Sequence, residues 1–538
     1  MSMTPAMTSS PAPAAGHNPI RNRLLPLLGI CVGLVALIHY FSLRSSLWED
    51  ELIALTHTFQ PLPSFFVEIL RNDIHPFFYF LVLKGWMLLS PGSGYWALAS
   101  SFAFTVVSAL VVYRVGRATS GNAAALWATA IFLLLPTTAW GAGNLRMYGL
   151  LPALVVGVWY LNVRFLQQPS RWGGVALVLL ELCTAYVHAI EFIFVAFIAL
   201  AVMLDQFKAA PAKTFRTWLL LQIGAGVAML PLPLSALMRG TEPLPASSWD
   251  SFVMIFGQAI AGGGGAYREL LTWAGVAVFA GLVYFAMQSK RWRVTVLVLP
   301  VGVLLAAYVI GFLGKPIFKS PVFSANLLPF LALGAGAGIA RVMDGARRLP
   351  AAIAAAFTLA LAIVTIPWAS NLVPQESYEA AAKYVKQHAA PGDVVIVPHL
   401  SVYWGVMFYA EGDEWGLPLA IRPADNPQWR NLLAKLGDDL SQTLSLVPEK
   451  PHVEFGGVRY CVGTDVTACA GGAGRAWVVD RRTYDNGVEF DRPMAATGSV
   501  FIGELAVSQL EQSDAGRKRF DNPFLLRDPS AKGQATSY

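Results

Sequence analysis

Long apolar segments dominate this 538-residue sequence and limit the folds that it can adopt. A helix that crosses a bilayer needs about 20 mostly apolar residues. About eleven segments meet that requirement: residues 24–43, 96–113, 123–140, 147–166, 172–188, 190–207, 217–237, 269–288, 294–313, 321–340 and 351–370. With 55% hydrophobic and only 13% charged residues, the chain is predicted to be an α-helical polytopic membrane protein.

The distribution of Lys and Arg predicts how these helices are oriented. The net charge of +6 could reflect a nucleic-acid partner, but the basic residues form short clusters between the apolar segments, as cytoplasmic loops do. Every cluster lies on one side only if a shorter apolar segment, residues 76–89, does not cross the membrane. We therefore expect no nucleic-acid partner, a cytoplasmic N-terminus, and juxtamembrane or half-inserted helices at residues 59–70 and 76–89.

The chain divides into a membrane part and a polar C-terminal part. Residues 1–20, rich in Ser, Pro and Ala, are expected to form a disordered cytoplasmic tail. Residues 24–43 are long for a signal-peptide core and no small-residue cleavage site follows, which favours a retained helix. We expect a membrane domain over residues 21–372, with its first outer loop at residues 44–90, and an α/β domain on the outer face over residues 375–538.

The last part of the chain has the composition of a soluble domain. Glu376–His388 is typical of an amphipathic helix, Val394–Val397 of a buried strand, and Ala476–Asp480 of a further strand. Cys461 and Cys469 would close a small loop by a disulfide if this domain lies outside the cytoplasm. A zinc site is less expected, because neither cysteine has a second Cys or a His at ligand spacing.

Carboxylates cluster in the polar loop that follows the first apolar segment. Glu49, Asp50 and Glu51 are consecutive, and Asp73 stands two residues before His75. A charge beside a membrane helix needs water, a partner or a function. Adjacent carboxylates interact, so one of the pair Asp50 and Glu51 can hold its proton more tightly and act as a general base. The same residues also fit a solvated helix end or a membrane anchor.

Further polar residues lie at the ends of later apolar segments. Arg146, followed by Tyr148, has the planar guanidinium that binds phosphate oxygens, although a snorkelling anchor is the commoner role. His188 lies at a turn near Glu191, where a structural hydrogen bond is commoner than catalysis. Two basic residues of a short outer loop fit either a phosphate-bearing lipid or the membrane surface: Lys315 and Lys319.

Four short motifs occur in order along the chain: Leu47–Glu51, Asp73–Tyr79, Asn144–Tyr148 and Tyr186–His188. They resemble, in turn, the Asp-Glu, Asp-x-His-Pro-Pro, Arg-x-Tyr and Thr-His-Tyr segments of GT-C superfamily glycosyltransferases, in particular of the protein O-mannosyltransferase and aminoarabinose-transferase-like family. Ser377–Val397 is similar to the start of the outer domain in many bacterial members. The resemblance therefore covers the chain from about residue 45 to about residue 400.

The resemblance implies an inverting transfer of a sugar from a polyprenyl-phosphate carrier to an acceptor at the outer face of a bacterial inner (plasma) membrane. The acceptor would be a protein, lipid A or another glycolipid, or an envelope polysaccharide. Asp50 would deprotonate the acceptor, with Glu51 and Asp73 shaping the site or holding a divalent cation. Arg146 would face the donor phosphate and His188 would line the pocket. The substrate-binding residues would be His75, Arg146, Tyr148, His188, Lys315 and Lys319.

Two departures from the family and two other functions bear on this interpretation. Phe77 replaces the second Pro, and Phe323–Pro329 lacks the Arg-Tyr pair of many members, so Lys315, Lys319 or Asn326 would have to bind the phosphate.

A transporter or flippase for a lipid-linked or small solute is the main alternative, but it would favour charges in mid-segment and a repeat between halves. A scaffold that presents the C-terminal domain would need no acidic loop.

Overall fold

The computed structural model describes most of the chain between residues 21 and 521. The described residues are 21–42, 47, 49–59, 62, 65, 66, 69, 76–89, 94–188, 190–238, 284, 287, 289–312, 320–344, 377–398, 400–410, 452–463, 466–481, 488–502 and 505–521. The expected tail at residues 1–20, the apolar segment 351–370 and nearly all of segment 269–288 lie outside them.

The apolar part of the chain is helical, because a helix satisfies its own backbone hydrogen bonds inside a bilayer. Its helices are α1 (Arg21–Ser42), α2 (Glu49–Phe59), α3 (Phe78–Met87), α4 (Gly94–Ser120), α5 (Asn122–Leu134), α6 (Pro136–Ala142), α7 (Leu151–Gln167), α8 (Arg171–Ala185), α9 (Glu191–Gln206), α10 (Ala212–Met229), α11 (Pro231–Met238), α12 (Lys290–Val296), α13 (Val303–Phe312) and α14 (Ser320–Asp344). A 3-10 turn, Met147–Gly149, precedes α7, and a π-helical turn, Leu297–Gly302, joins α12 to α13.

Several of these helices are suited to cross a membrane. Within the described residues, four stretches are long and apolar enough: Trp96–Ser120, Met147–Gln167, Ala212–Leu234 and Lys290–Ile310. The pair α5 and α6 makes a fifth if it is one broken span. The protein is thus a multi-pass membrane protein, and the number of about eleven spans stays a prediction because part of it concerns residues outside the described ones.

Two helices differ from a simple span for identifiable reasons. Residues 123–140 were expected to form one helix, but α5 and α6 meet at an angle of 69°. Pro136 begins α6 and has no N–H to continue the hydrogen-bond ladder of α5, so the helix breaks at Leu135. Helix α3 has ten residues, which rise only about 15 Å against an apolar thickness of about 30 Å. Its described length is therefore short for a spanning helix, and the expectation that residues 76–89 do not cross stays a prediction.

Helix α5 lies at the centre of the membrane part, packed against α1, α4 and α14. Small residues allow α14 to approach α5 closely. A Cβ atom placed on Gly336 of α14 would come within 2.6 Å of the Ala128 backbone nitrogen in α5. The buried side chains of these helices form one continuous apolar core with α7, α9 and α12. A second apolar core brings together α2, α3 and the turn before α7.

The C-terminal part is an α/β domain built on one mixed sheet. Its elements are α15 (Tyr378–His388), β1 (Val394–Val397), α16 (Leu400–Ala410), β2 (His452–Phe455), β3 (Val458–Val462), α17 (Thr467–Ala470), β4 (Arg475–Arg481), β5 (Val488–Ile502), β6 (Leu505–Gln512) and β7 (Arg517–Phe520). The strand order is β2-β3-β1-β4-β6-β5-β7, with β1 parallel to both β3 and β4. The strands expected at Val394–Val397 and Ala476–Asp480 are confirmed.

The sheet domain is joined to the membrane part by an apolar contact. Side chains of α2, including Leu52 and Leu55, share one buried core with Tyr403 and Met407 of α16. The backbone N–H of Leu47 donates a hydrogen bond to the Tyr409 hydroxyl oxygen over 2.8 Å. The domain therefore packs directly on the helix that carries Asp50 and Glu51. A disulfide joins Cys461 at the end of β3 to Cys469 in α17.

Candidate functional site

Asp50 and Arg146 form an ion pair where α2 meets the turn before α7. The Arg146 Nη2 atom lies 3.7 Å from Asp50 Oδ2, and Arg146 Nη1 donates a hydrogen bond to the Asp50 backbone oxygen over 3.1 Å. The Arg146 side chain is only 5% exposed, whereas that of Asp50 is 41% exposed. The guanidinium is thus held inside the protein while the carboxylate faces outward. This arrangement leaves the Asp50 carboxylate accessible at the surface of the protein.

Glu51 has a different environment from its neighbour. It is fully buried, and its Oε1 atom accepts a hydrogen bond from the backbone N–H of Leu145 over 2.7 Å. A buried carboxylate requires such partners, because an unpaired one is costly. Glu51 therefore ties α2 to the residue before Arg146. Of the two adjacent acids, Asp50 faces outward and Glu51 holds the backbone that presents Arg146.

The turn that carries Arg146 is fixed against α4 and α7. Arg146 has extended backbone angles and is followed by the 3-10 turn that contains Tyr148. The Ser108 hydroxyl donates to the Gly149 backbone oxygen over 2.7 Å and accepts from the Ala153 N–H over 3.1 Å. A Cβ atom on Gly149 would come within 2.6 Å of the Ser101 backbone oxygen, so only glycine fits this approach. These contacts therefore hold the turn, and with it Arg146, in one position against α4 and α7.

Two tyrosines surround this ion pair. Tyr148 packs its ring on Trp140, with ring centres 4.6 Å apart, and lies within electrostatic reach of Arg146 and Asp50. Tyr79, fully buried in α3, lies within reach of Arg146 and Glu51. Sequence reasoning did not select Tyr79, although it closes the Asp73–Tyr79 motif. Its place as the second residue of α3, at the end of a motif that contains Asp73 and His75, was the available indication.

The motif around His188 adjoins the start of α3. The Phe78 N–H donates to the Tyr186 backbone oxygen over 2.9 Å, and the Phe77 and Tyr186 rings are 5.4 Å apart. His188 is buried, and its Nδ1 atom accepts from the Ile190 N–H over 3.3 Å. The folded chain thus brings together segments of all four sequence motifs. Its described contacts give His188 a hydrogen-bonded place in the turn before α9.

A small cleft opens beside Tyr148. It encloses about 260 Å³ of empty space, part of which is open to solvent. Three threonine hydroxyls and one tyrosine contribute to a lining that is otherwise apolar. The lining residues are Thr105, Phe132, Thr137, Thr138, Tyr148, Pro152, Ala325 and Leu328.

Some of the expected site residues lie outside the described residues. These are Asp73, His75, Lys315 and Lys319. Over the described residues, no group of three or more His, Cys, Asp or Glu side chains is arranged to hold a metal ion. Asp50 is paired with a guanidinium and Glu51 with a backbone N–H. The two acids that the structure describes therefore do not form an open carboxylate pair.

Comparison with known proteins adds to this geometry. No protein-family model and no curated protein sequence matches the chain. Among solved structures, the chain is similar to ArnT from Cupriavidus metallidurans in the apo state, with a TM-score of 0.53, 13% identity and coverage of 90% of this chain and 97% of that one. It is also similar to the same protein bound to undecaprenyl phosphate, with a TM-score of 0.51, 14% identity and the same coverage. The chain therefore shares the fold of ArnT, which agrees with the GT-C resemblance of its sequence motifs.

Proposed function

We propose that this protein transfers a sugar from a polyprenyl-phosphate carrier to a hydroxyl-bearing acceptor, with inversion at the anomeric carbon. The observation that carries the proposal is the outward-facing Asp50 carboxylate held by the buried Arg146. The fold shared with ArnT, which has been crystallised with undecaprenyl phosphate, supports a lipid-phosphate donor. The reaction requires a base, a positive charge for the leaving phosphate and a fixed distance between them.

In the proposed reaction, Asp50 accepts the proton of the acceptor hydroxyl. The hydroxyl oxygen then forms a bond to the anomeric carbon as the bond from that carbon to the phosphate oxygen breaks. The phosphate leaves with the electron pair of that bond, and a positive charge beside it stabilises the transition state. Arg146 supplies such a charge next to Asp50, and Glu51 keeps its backbone in place. Asp73, His75, Tyr148, His188, Lys315 and Lys319 remain the proposed substrate-binding or site-shaping residues.

We also propose that the reaction takes place on the outer face of a bacterial inner membrane. Helices that lead away from the site end in basic residues, such as Arg117 in α4 and Arg164 in α7, as cytoplasmic helix ends do. The disulfide between Cys461 and Cys469 supports an oxidising compartment for the sheet domain. Under this proposal, residues 21–372 form the catalytic membrane domain and residues 375–538 the outer-face domain.

The test is transfer of labelled sugar from a panel of polyprenyl-phosphate donors, by membranes that contain the wild type or Asp50→Asn. The substitution keeps the shape of the side chain and removes the base, so we expect transfer to fall by about 100- to 10,000-fold. Asp205→Asn is the matched control, because Asp205 also pairs with an arginine: Arg291 Nε lies 3.5 Å from Asp205 Oδ2. That pair lies at the C-terminal end of α9, whereas the turn of His188 adjoins the N-terminal end of this helix. Normal transfer by Asp50→Asn would exclude Asp50 as the base and remove the main support for the proposal.

A further inference from the structure

One edge of the C-terminal sheet is open along half of its longest strand. Strand β5 pairs with β6 over its second half, but with β7 only over its first half, up to Met494. Residues 495–502, here called the open edge, therefore have β6 on one side and none of the described strands on the other. Residues 496–499 are all exposed. The backbone N–H and C=O groups on the outer side of such a strand can pair with a further strand.

The other edge strands of this sheet carry features that prevent such pairing. Strand β2, at the opposite edge, has only four residues and includes the exposed Glu454. Strand β7, which covers the first half of β5, contains Arg517, Lys518 and Arg519 in a row. Short strands and charged side chains are the usual means by which proteins block pairing at a sheet edge. The open edge contains no charged residue and no proline, so it lacks this protection.

The side chains of the open edge are suited to an apolar partner. Val500 and Ile502 are partly buried and pack against the core that joins the sheet to α15, α16 and α2. Phe501 lies on the opposite face, because successive side chains of a strand alternate, and it is 48% exposed. A strand added here would place alternate side chains beside Val500 and Ile502 and so extend the core. An uncharged segment with apolar residues at alternate positions fits these surroundings.

The open edge ends where the sheet domain joins the rest of the chain. Arg481, the last residue of β4, pairs with Leu505, the first residue of β6, just after β5 ends at Ile502. Arg481 Nη2 also donates to the Tyr378 hydroxyl oxygen over 2.8 Å. Tyr378 begins α15, the first described element after the membrane helices. A segment bound along the open edge would therefore have one end at the side where the chain enters this domain.

An irregularity within the open edge favours a foreign segment over a second copy of this chain. The pairing of β5 with β6 shifts its register between Ala496 and Gly498, which leaves Thr497 as an extra residue. Such a bulge bends the strand and disrupts the regular ladder. Two copies paired through this edge would bring the same irregularity from both sides. An extended peptide has no fixed backbone of its own and can adjust to the bulge.

We propose that the open edge of β5 binds an extended, uncharged polypeptide segment of another protein by strand addition. Main-chain hydrogen bonds supply the affinity in this mode of recognition, and alternate side chains supply the specificity. The inference concerns the sheet domain and does not depend on the proposed transfer reaction. It adds a protein partner to a chain whose other proposed ligands are lipids and sugars.

The experiment measures peptide binding to detergent-solubilised full-length protein by fluorescence anisotropy. The probe is a labelled peptide of about eight residues in which Val and Thr alternate, since both residues favour strands. Two further peptides keep these side chains but carry backbone N-methyl groups on all odd or on all even residues. An added strand points only one of these two sets of N–H groups at the edge that it joins. We therefore expect one methylated peptide to bind at least about 10-fold more weakly and the other to bind like the probe.

A pair of lysine substitutions locates the binding. Ala496→Lys places a charge on the open edge, as protected edge strands do, and should weaken binding of the unmethylated probe by about 10-fold. Gln387→Lys is the matched control, because Gln387 is exposed on α15 in the same domain and the substitution adds the same charge away from the edge. It should bind the probe like the wild type. Equal binding by Ala496→Lys and the wild type would exclude the open edge as the site.

The remaining outcomes also overturn the inference. No binding of the probe by the wild type, or equal loss with both methylated peptides, excludes strand addition. Binding that appears only after removal of residues 522–538 assigns the edge to this chain's own C-terminal segment. A dimer in light scattering that Ala496→Lys dissociates, and Gln387→Lys does not, assigns the edge to a second copy.

Discussion

The ion pair between Asp50 and Arg146 assigns a different task to each residue. The guanidinium is buried and contacts both the carboxylate and the backbone oxygen of Asp50. Two contacts from one planar group set the direction as well as the distance of the carboxylate. Arg146 is therefore a positioning residue for the proposed base, in addition to a source of positive charge.

This double contact leads to a prediction for Arg146→Lys. Lysine keeps the charge but cannot reproduce the planar fork, so Asp50 loses its fixed orientation. We expect kcat for sugar transfer to fall by about 100-fold, with a smaller change in the KM for the lipid donor. Steady-state kinetics with a varied donor concentration measure both values. A role in phosphate binding alone would instead raise KM and leave kcat close to the wild type.

At the scale of elements, a single carboxylate fastens the turn before β1 to β4. Asp393 Oδ2 accepts hydrogen bonds from Arg475 Nε over 2.8 Å, from Trp477 Nε1 over 3.0 Å and from the Ala390 N–H over 2.9 Å. Burial raises the pKa of Asp393, but these bonds and the Arg475 charge outweigh it and hold the pKa below its ordinary value of 3.8. The ionised form is therefore the one that the fold stabilises.

The lowered pKa predicts how acid affects this domain. Because the folded pKa lies below the unfolded one, the stabilisation is fully present above about pH 4 and is lost as the pH falls through the folded pKa. We expect hydrogen exchange at β1 and β4 of the full-length protein, corrected for its intrinsic pH dependence, to accelerate as the pH falls below about 4. Asp393→Asn should remove this dependence. The same acid response in wild type and variant would contradict the assignment.

At the scale of the whole molecule, the sheet domain and the membrane part share one core. Helix α16 packs on α2, which carries the proposed base near its first turn. The hydrogen bond from the Leu47 N–H to the Tyr409 hydroxyl ties the two parts together just before that helix. The C-terminal domain therefore helps to hold the proposed catalytic loop, besides any role in binding the acceptor.

Tyr409→Phe tests this link with a minimal change. It removes the hydroxyl and keeps the ring, so we expect a loss of about 1 kcal/mol. Amide exchange in α2 should accelerate about fivefold, with a smaller decrease in sugar transfer. Tyr384→Phe is the control, because the Tyr384 ring packs on His388 within the sheet domain. Unchanged exchange in α2 would show that the domain does not stabilise the loop.

Local properties of the chain were sufficient for much of this description. Apolar segment length predicted a multi-pass helical protein, and residue type predicted the strand Val394–Val397. Each of these depends on consecutive residues, whose preferences act over one helix turn or one strand. Pro136 also determines its helix break locally, although the regular apolar pattern around it concealed that break.

Only the tertiary structure decided which of the polar residues act together. Residue type did not distinguish Asp50 from Glu51, and only the family resemblance assigned Asp50 as the base. In the structure, the Asp50 carboxylate is partly exposed, whereas Glu51 accepts a hydrogen bond from a backbone N–H 94 positions away. Glu191 and Asn326, which share a buried hydrogen bond, are 135 positions apart, and Leu47 and Tyr409 are 362 apart. Burial and partner choice depend on how distant helices pack, which periodicity and composition do not encode. The sequence by itself therefore determined the class of protein and the candidate motifs, and packing determined the geometry of the site.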